Sequence, residues 1–237
     1  MPCEIRVVRE TGSTNADMLL LAQSGLEEGI WLRAERQTGG RGRLGRAWEG
    51  QEGNLYASTL VRRRPSDPHL AGLALVAGVA AHDALSRLAG GVKLTLKWPN
   101  DILADGAKLS GLLLEATGDA VVVGIGVNVT HHPVLADRAT TCLHALGGRA
   151  ITAQQVAETL AHCFAHWLSV WRGQGFSAIR EAWIERAHAA DTPLRANLPD
   201  GTSVDGLFET LDRDGNLILR LANGERRVIH AGDIFLL

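Results

Sequence analysis

The residues Gly40-Arg41-Gly42-Arg43-Leu44-Gly45-Arg46 carry the densest chemistry in the chain, with three glycines and three arginines in seven positions. Glycine lets backbone amides approach a ligand with no Cβ in the way. Each guanidinium offers a planar fork of donors matched to phosphate or carboxylate oxygens. The stretch reads as an anion-binding loop, with a flexible basic surface loop as the alternative. Its glycine spacing also fits G-x-G-x-x-G, the dinucleotide fingerprint, which needs a strand before it and a helix opening directly after it. Residues 30–35 supply a strand. Residues 47–53 are too glycine-rich for a helix, and 54–61 read as a second strand. Strand–loop–strand argues against a dinucleotide site.

Other polar groups gather where a plain sheet does not need them. Lys97, Asn100, Asp101 and Lys108 fall near strand ends or a turn, and Asn128 closes the apolar run 121–127. Singly, each is a turn former, a surface lysine or a strand-end cap. As a set beside an arginine loop, they are the groups that surround a nucleotide. Ser13-Thr14-Asn15 can cap a helix over 16–23, with Asp17 favourable in its first turn. A helix N-terminus also presents hydroxyls and amides to a polar ligand.

The elements that position these groups follow from pattern. Residues 5–8 read as a strand, and Gly25 stops the first helix. Arg62-Arg63-Arg64 reads as a solvated strand edge. Asp67-Pro68 predicts an N-cap with proline at the first helical position. The stripe of Leu70, Leu73, Ala77, Ala81, Leu85 and Leu88 carries that helix to Gly90-Gly91, and its small residues imply close packing on a sheet. Residues 93–98 alternate with period two. Asp105-Gly106 is a hairpin turn, and Thr117-Gly118-Asp119 turns the chain into a strand over 120–129. This is an antiparallel meander and not a βαβ array, so the fold class is α+β. Thr152 and Gln155 form a capping box for a helix through Trp171. A second helix covers 176–188, and the aromatics of both read as core. From Asp191-Thr192-Pro193 onward, Asp200-Gly201, Asp214-Gly215 and Asn223-Gly224 punctuate short segments as in a small all-β unit. The chain divides into residues 1–190 and 191–237.

A net charge of −2 over 237 residues gives no global attraction to nucleic acid or an anionic membrane, so the basic loop is a local feature. Hydrophobic content of 46% with 21% charged residues is globular composition. Cys3, Cys142 and Cys163 are widely spaced without a C-x-x-C pair, as expected of reduced thiols in a cytoplasmic protein. No apolar signal core opens the sequence. The longest apolar run, 70–81, is shorter than a membrane span. The adjacent His131 and His132 lack a partner at ligand spacing, so no fixed protein metal site is expected.

Gly12-Ser13-Thr14-Asn15, residues 37–46, Lys97-Trp98-Pro99-Asn100-Asp101, Lys108-Leu109-Ser110-Gly111 and Gly124-Ile125-Gly126-Val127-Asn128 occur in the order found in biotin–protein ligases. The sequence resembles that family over essentially its whole length. The arginine–glycine loop followed by Lys-Trp-Pro-Asn-Asp is the most specific part. The resemblance implies a mixed and antiparallel sheet with helices, akin to class II aminoacyl-tRNA synthetases, followed by a small SH3-like β-barrel. It implies two steps: biotin's carboxylate attacks the α-phosphate of ATP with Mg²⁺ to give biotinyl-adenylate and pyrophosphate, and a lysine of a biotin carboxyl carrier domain then displaces AMP. Mg²⁺ enters with ATP.

By the same resemblance, Arg41, Gly42 and Arg43 close over biotin and the adenylate, and Lys108 contacts the reacting carboxylate and phosphate oxygens. Ser13, Thr14, Asn15 and Gln37 hydrogen-bond the ureido head. Gly111 permits close backbone approach, and Gly124 and Gly126 make room for biotin's tail. Trp48, Asn100 and Asn128 cover or position adenosine and phosphates. Lys97 holds phosphates, and Asp101 orients or deprotonates the incoming lysine. The glycines and clustered charges of the arginine loop predict that it is mobile when empty. Some relatives carry an N-terminal helix-turn-helix of about sixty residues and repress transcription. With Ser13 so near the start, the expectation is a ligase that binds no nucleic acid and no membrane. A homodimer through the sheet is implied by analogy alone. Two rivals stand beside this reading: a lipoate or octanoate ligase or transferase of the same superfamily, and a non-catalytic nucleotide- or nucleic-acid-binding module.

Overall fold

Period-two alternation and positive-φ turns build the main sheet of the computed structural model, which describes residues 4–148 and 150–237. The chain runs β1 (Glu4–Thr11), α1 (Thr14–Gln23), β2 (Ile30–Gln37), β3 (Leu55–Arg62), α2 (Leu73–Leu88), β4 (Leu94–Lys97), β5 (Asp101–Ala104), β6 (Ala107–Thr117) and β7 (Ala120–Val127). These strands form one seven-stranded sheet in the order β1-β2-β3-β7-β6-β5-β4. The β1–β2 pair is parallel and every other pair antiparallel. Asp105 at φ 48° and Gly106 at φ 82° make the two-residue hairpin turn between β5 and β6. The sheet is mixed, as the α+β expectation requires.

The two faces of the sheet are treated differently. Val121, Val123, Ile125 and Val127 of β7 point into the large core with α2, α3 (Ala153–Gln174) and α4 (Phe176–Glu185). Val122 points to the opposite face, where Leu32, Leu60, Met18 and Ala22 seal α1 onto the sheet. Gly124 and Gly126 continue the Val122 face, because side chains alternate along a strand. Beyond α1 that face is covered by Trp48 over Gly126 and Gly111, and a cavity lies there.

Several expectations change in detail. Asp67 does not cap α2. Its carboxylate accepts from the Arg64 amide and from Arg172, and a short 3₁₀ turn, Leu70–Gly72, capped by His69, leads into the helix. Arg62 is not a solvated edge residue. It ends an interior strand and donates to the carbonyls of Ala22 and Leu26 at the end of α1, where helix carbonyls need donors. Helix α4 stops at Glu185, short of 188, because the Arg186 carbonyl accepts from the Leu96 amide beside β4. The apolar stretch reaches 19 helical residues, Leu70–Leu88, enough by length to span a bilayer. Its composition is explained by burial: Gly72 lies against Trp171 and Phe176, and Gly78 against Trp183 and Leu96. Cys142 and Cys163 are buried free thiols, and Cys3 lies outside the described residues.

One ion cluster staples α3 to the β2–β3 side of the sheet. Arg172 donates to both oxygens of Glu28 at 2.9 and 2.7 Å, to Asp67 at 3.0 Å and to the Arg62 carbonyl at 3.1 Å. Burial raises the Glu28 carboxyl, but bonding and charge from Arg172 outweigh it and hold the group below its ordinary value. Removing one member of a half-buried cluster leaves the others short of a partner. Arg172→Met is therefore expected to cost about 2–3 kcal/mol, read from the urea midpoint. A loss below about 1 kcal/mol would place this cluster among ordinary surface pairs.

The C-terminal stretch folds as a second, antiparallel sheet of β8 (Pro193–Asn197), β9 (Ser203–Leu211), β10 (Leu217–Arg220), β11 (Arg226–Ile229) and β12 (Asp233–Leu236), in the order β11-β10-β9-β8-β12. Phe208, Leu211, Leu217, Leu219 and Ile234 are buried in the large core. Trp98 Nε1 donates to the Gly215 carbonyl at 3.0 Å, and Arg180 Nε to the carbonyls of Leu211 and Asp212 at 2.9 Å. The second sheet thus sits against the end of β4, next to the site.

Candidate functional site

Every residue nominated from the sequence lines one cavity of about 400 Å³ on the open face of the main sheet. Strand register supplies its floor. Tyr56 pairs with Gly126, which pairs with Gly111, and Ser58 pairs with Gly124 in the adjoining row. Three glycines thus leave a bare patch of backbone on β7 and β6, bordered by Tyr56 and Ser58 on β3 and by Leu113 on β6. A Cβ on Gly124 would lie 2.0 Å from Asn15 Oδ1, and one on Gly126 2.6 Å from the Trp48 indole. Trp48 lies flat on this bare backbone, with Lys108 Nζ 5.4 Å from its ring. The glycines expected to make room for a ligand are thus in contact with Trp48 and Asn15.

One end of the cavity is uncharged and densely hydrogen-bonded. Gln37 Oε1 accepts from the Thr14 amide at 2.8 Å and lies 3.1 Å from its hydroxyl. Thr14 Oγ1 is 2.8 Å from Ser58 Oγ, and the Ser58 hydroxyl donates to Asn15 Oδ1 at 2.7 Å. Asn15 Nδ2 donates to Glu115 at 2.8 Å. Ser13 holds the N-cap position of α1 but makes no side-chain capping bond. Ser13 also lines the cavity. The capping reading of Ser13 is correct in position and not in bonding.

The other end is cationic. Asp101, nine-tenths buried, lies 3.2 Å from Lys97 Nζ and 2.6 Å from Lys108 Nζ. Burial raises its carboxyl, yet Lys108 and Lys97 together hold it below the ordinary carboxylate range. Burial likewise draws Lys97 down against the pull of Asp101. Lys97 also donates to the Ile234 carbonyl at 2.9 Å. Arg43 reaches Asn100 Oδ1 and the Gly232 carbonyl, each at 3.4 Å, and burial lowers it. Asn100 Nδ2 donates to the Leu112 carbonyl, and Asn128 Nδ2 to the Thr141 carbonyl. Both asparagines therefore fasten backbone as well as line the cavity. The arginine loop is tied internally, with Gly42 N–H donating to Arg46 O at 2.7 Å and Trp48 N–H to Gly40 O at 3.0 Å.

Sequence reasoning missed several residues in and behind the lining. Ser58 and Glu115 complete the polar chain behind Thr14 and Asn15, and a serine inside the apolar run 55–61 was the available signal. Asn54 organises the turn into the next loop, accepting from the amides of Val129 and Thr130. Arg138, stacked 5.5 Å from the Phe235 ring, and Asp233 reach the cavity from distant segments and carry no local signature.

Behind Lys97, the His188 imidazole has a buried Nε2 with no hydrogen-bond partner. Burial, and then the charges of Lys97 and Lys93, push it down to about 4 from the usual 6.5. The unfolded chain therefore binds this proton first. Stability is expected to be full above pH 6.5 and to decline as pH falls toward 4. Unfolding titrations across that window should show a shallower slope in His188→Gln. An unchanged slope would remove His188 as the cause.

The arrangement suits a ligand with a polar uncharged head, a slim apolar middle lying on bare backbone, and an anionic end. Comparison with known proteins points the same way. Residues 6–130 match the biotin/lipoate A/B protein ligase family, and 193–237 match the biotin protein ligase C-terminal domain. The biotin–[acetyl-CoA-carboxylase] ligase of Paracoccus denitrificans is 40% identical, over 97% of this chain and 99% of that protein. The Mycobacterium tuberculosis ligase of the same name is 36% identical, over 98% and 88%. The Aquifex aeolicus biotin protein ligase, solved with biotin and ATP, superposes with a TM-score of 0.85 at 26% identity, covering 99% of this chain and 98% of that one.

Proposed function

The chain belongs to the biotin/lipoate A/B protein ligase family, and from that premise we infer that it activates biotin with ATP and transfers it to a lysine of a biotin carboxyl carrier domain. The observation that carries this reading is the two-ended cavity: neutral hydrogen-bonding side chains, anchored behind on Glu115, line one end and a cluster of cations the other, with glycines in the floor between. A ureido head matches the first, and a carboxylate meeting a phosphate matches the second. Residues 1–190 form the catalytic unit in this reading, and 191–237 the C-terminal one.

In the first step two anions must meet, and positioned cations offset their repulsion. Lys108 and Arg43 take the reacting carboxylate and α-phosphate oxygens, and Lys97 the departing pyrophosphate. Mg²⁺ arrives on the ATP phosphates. Arg41 and Gly42 close the loop over the intermediate, and Trp48 shifts from the floor to cover it, excluding water from the anhydride. Asn100 holds Arg43 in place, and Asn128 holds the loop that faces adenosine. In the second step the acceptor amine attacks the acyl carbon. An amide C–N bond forms, the anhydride C–O bond breaks, and AMP leaves, while the amine's surplus proton passes to solvent. Asp101 is assigned here as the counter-ion of Lys97 and Lys108. A carboxylate pinned by two ammonium groups below its ordinary range is a poor proton acceptor for the incoming lysine.

The test offers the purified protein ATP, Mg²⁺, biotin, lipoate and octanoate together and identifies bound adenylates by mass spectrometry. Biotinyl-AMP alone is expected. Lipoyl- or octanoyl-AMP would move the chain to the sister branch of its family, and no adenylate would leave a binding module.

A further inference from the structure

The arginine loop is fastened to the C-terminal sheet by a contact that the chemistry of activation does not require. Arg46 turns its guanidinium to Asp233 at the start of β12, with one nitrogen 2.6 Å from each carboxylate oxygen. Beside it, Arg43 of the same loop reaches the Gly232 carbonyl, and Lys97 donates to the Ile234 carbonyl. One short stretch of the second sheet thus holds two cations of the loop and one of the meander.

The Arg46–Asp233 pair is partly exposed, with side chains 41% and 28% accessible. An ion pair in that setting is individually weak and screened by salt. Weakness of this kind suits a fastening that must open each time a ligand enters or leaves. The loop covers the cavity, so whatever holds it down slows passage in both directions without favouring the loaded over the empty state.

We propose that Asp233 is a clasp: through Arg46 it holds the arginine loop over the cavity, so the C-terminal sheet sets how fast ligand enters and how long the activated intermediate stays bound. The proposal rests on the ligase reading above. Asp233 is a positioning residue in this scheme, acting through Arg46 and touching no reacting atom.

The test is stopped-flow binding of biotinyl-AMP to the full chain, wild type against Asp233→Asn and Asp233→Glu. Asp233→Asn is expected to raise association and release together by roughly three- to ten-fold, the range a weak ion pair with one nitrogen shared between both oxygens supports. Equilibrium affinity should stay within about two-fold, and Asp233→Glu should fall between. Equal rates in Asp233→Asn and wild type overturn the clasp. So does a loss of affinity with association unchanged, which would make Asp233 an ordinary binding contact. If Asp233→Asn does not fold, the wild type decides. Its association rate should rise with salt from about 0.05 to 0.5 M, whereas simple attraction of an anion to a cationic cavity makes association fall. A falling rate overturns the clasp. A wild type that bound no biotinyl-AMP would overturn the ligase reading and the clasp together.

Discussion

Lys108→Gln is expected to slow biotinyl-AMP formation by two to three orders of magnitude, while biotin still binds. Removing one positioned donor from developing charge costs about 10²–10³ in rate. Here the donor sits 2.6 Å from Asp101, at the cationic end of the cavity. In the proposed reading biotin's head lies at the other end of the cavity, so calorimetry should record binding with little change. Lys108→Arg is not expected to rescue, because a planar fork cannot stand where a compact ammonium stood against a buried carboxylate. Lys97 remains beside Asp101 at 3.2 Å, so the variant keeps one counter-ion and folds. Single-turnover formation of adenylate within ten-fold of wild type would remove Lys108 from the reacting centre.

Gly124→Ala tests the opposite end and should act on biotin's KM far more than on kcat. The added Cβ would sit 2.0 Å from Asn15 Oδ1, so one of the two must move. Asn15 cannot swing aside freely: it is 4% exposed and bonded to both Ser58 and Glu115. Overpacking of a tight site costs about 1–3 kcal/mol, and a stranded buried polar group a similar amount. A rise in biotin KM of roughly 10- to 100-fold follows, with the KM for ATP nearly unchanged. Gly126→Ala presses on the Trp48 indole, a half-buried side chain with room to shift, so its effect should be smaller. Equal effects from both substitutions would contradict this ordering.

Much of this site was legible in the chain because its groups come in short, dense segments. The arginine loop, Lys97 to Asp101 and the glycines of β7 each announce themselves by residue type and spacing, and strand register then brings them to one face. The hairpin at Asp105-Gly106 was readable because positive φ at two successive positions leaves few residue choices. What stayed hidden depends on distance. Asp67 has the look of a helix cap, but its carboxylate is claimed by Arg172, 105 residues away. Arg62 has the look of a solvated edge because no local pattern reveals that its strand is interior. Asp233 and Arg138 reach the cavity only through the docking of the second sheet, which no periodicity encodes.

The polar chain beneath the head of the cavity has a direction. Glu115 is a carboxylate and can only accept, so it fixes which way round the Asn15 amide lies. The Asn15 oxygen must then take the Ser58 proton, and Ser58, its own proton committed, takes that of Thr14 at 2.8 Å. The Ser58 hydrogen points inward and the Thr14 hydrogen lies between Ser58 Oγ and Gln37 Oε1, so both are engaged within the line. What remains facing outward is a lone pair on Thr14 and, with its oxygen engaged by the Thr14 amide, the NH₂ of Gln37. A cyclic urea, presenting N–H beside C=O, reads as the complement of that pair. A head group bearing only acceptors meets a mismatch at Thr14. In the proposed reading, discrimination at this end is set by an acid on β6 that need not touch the ligand at all.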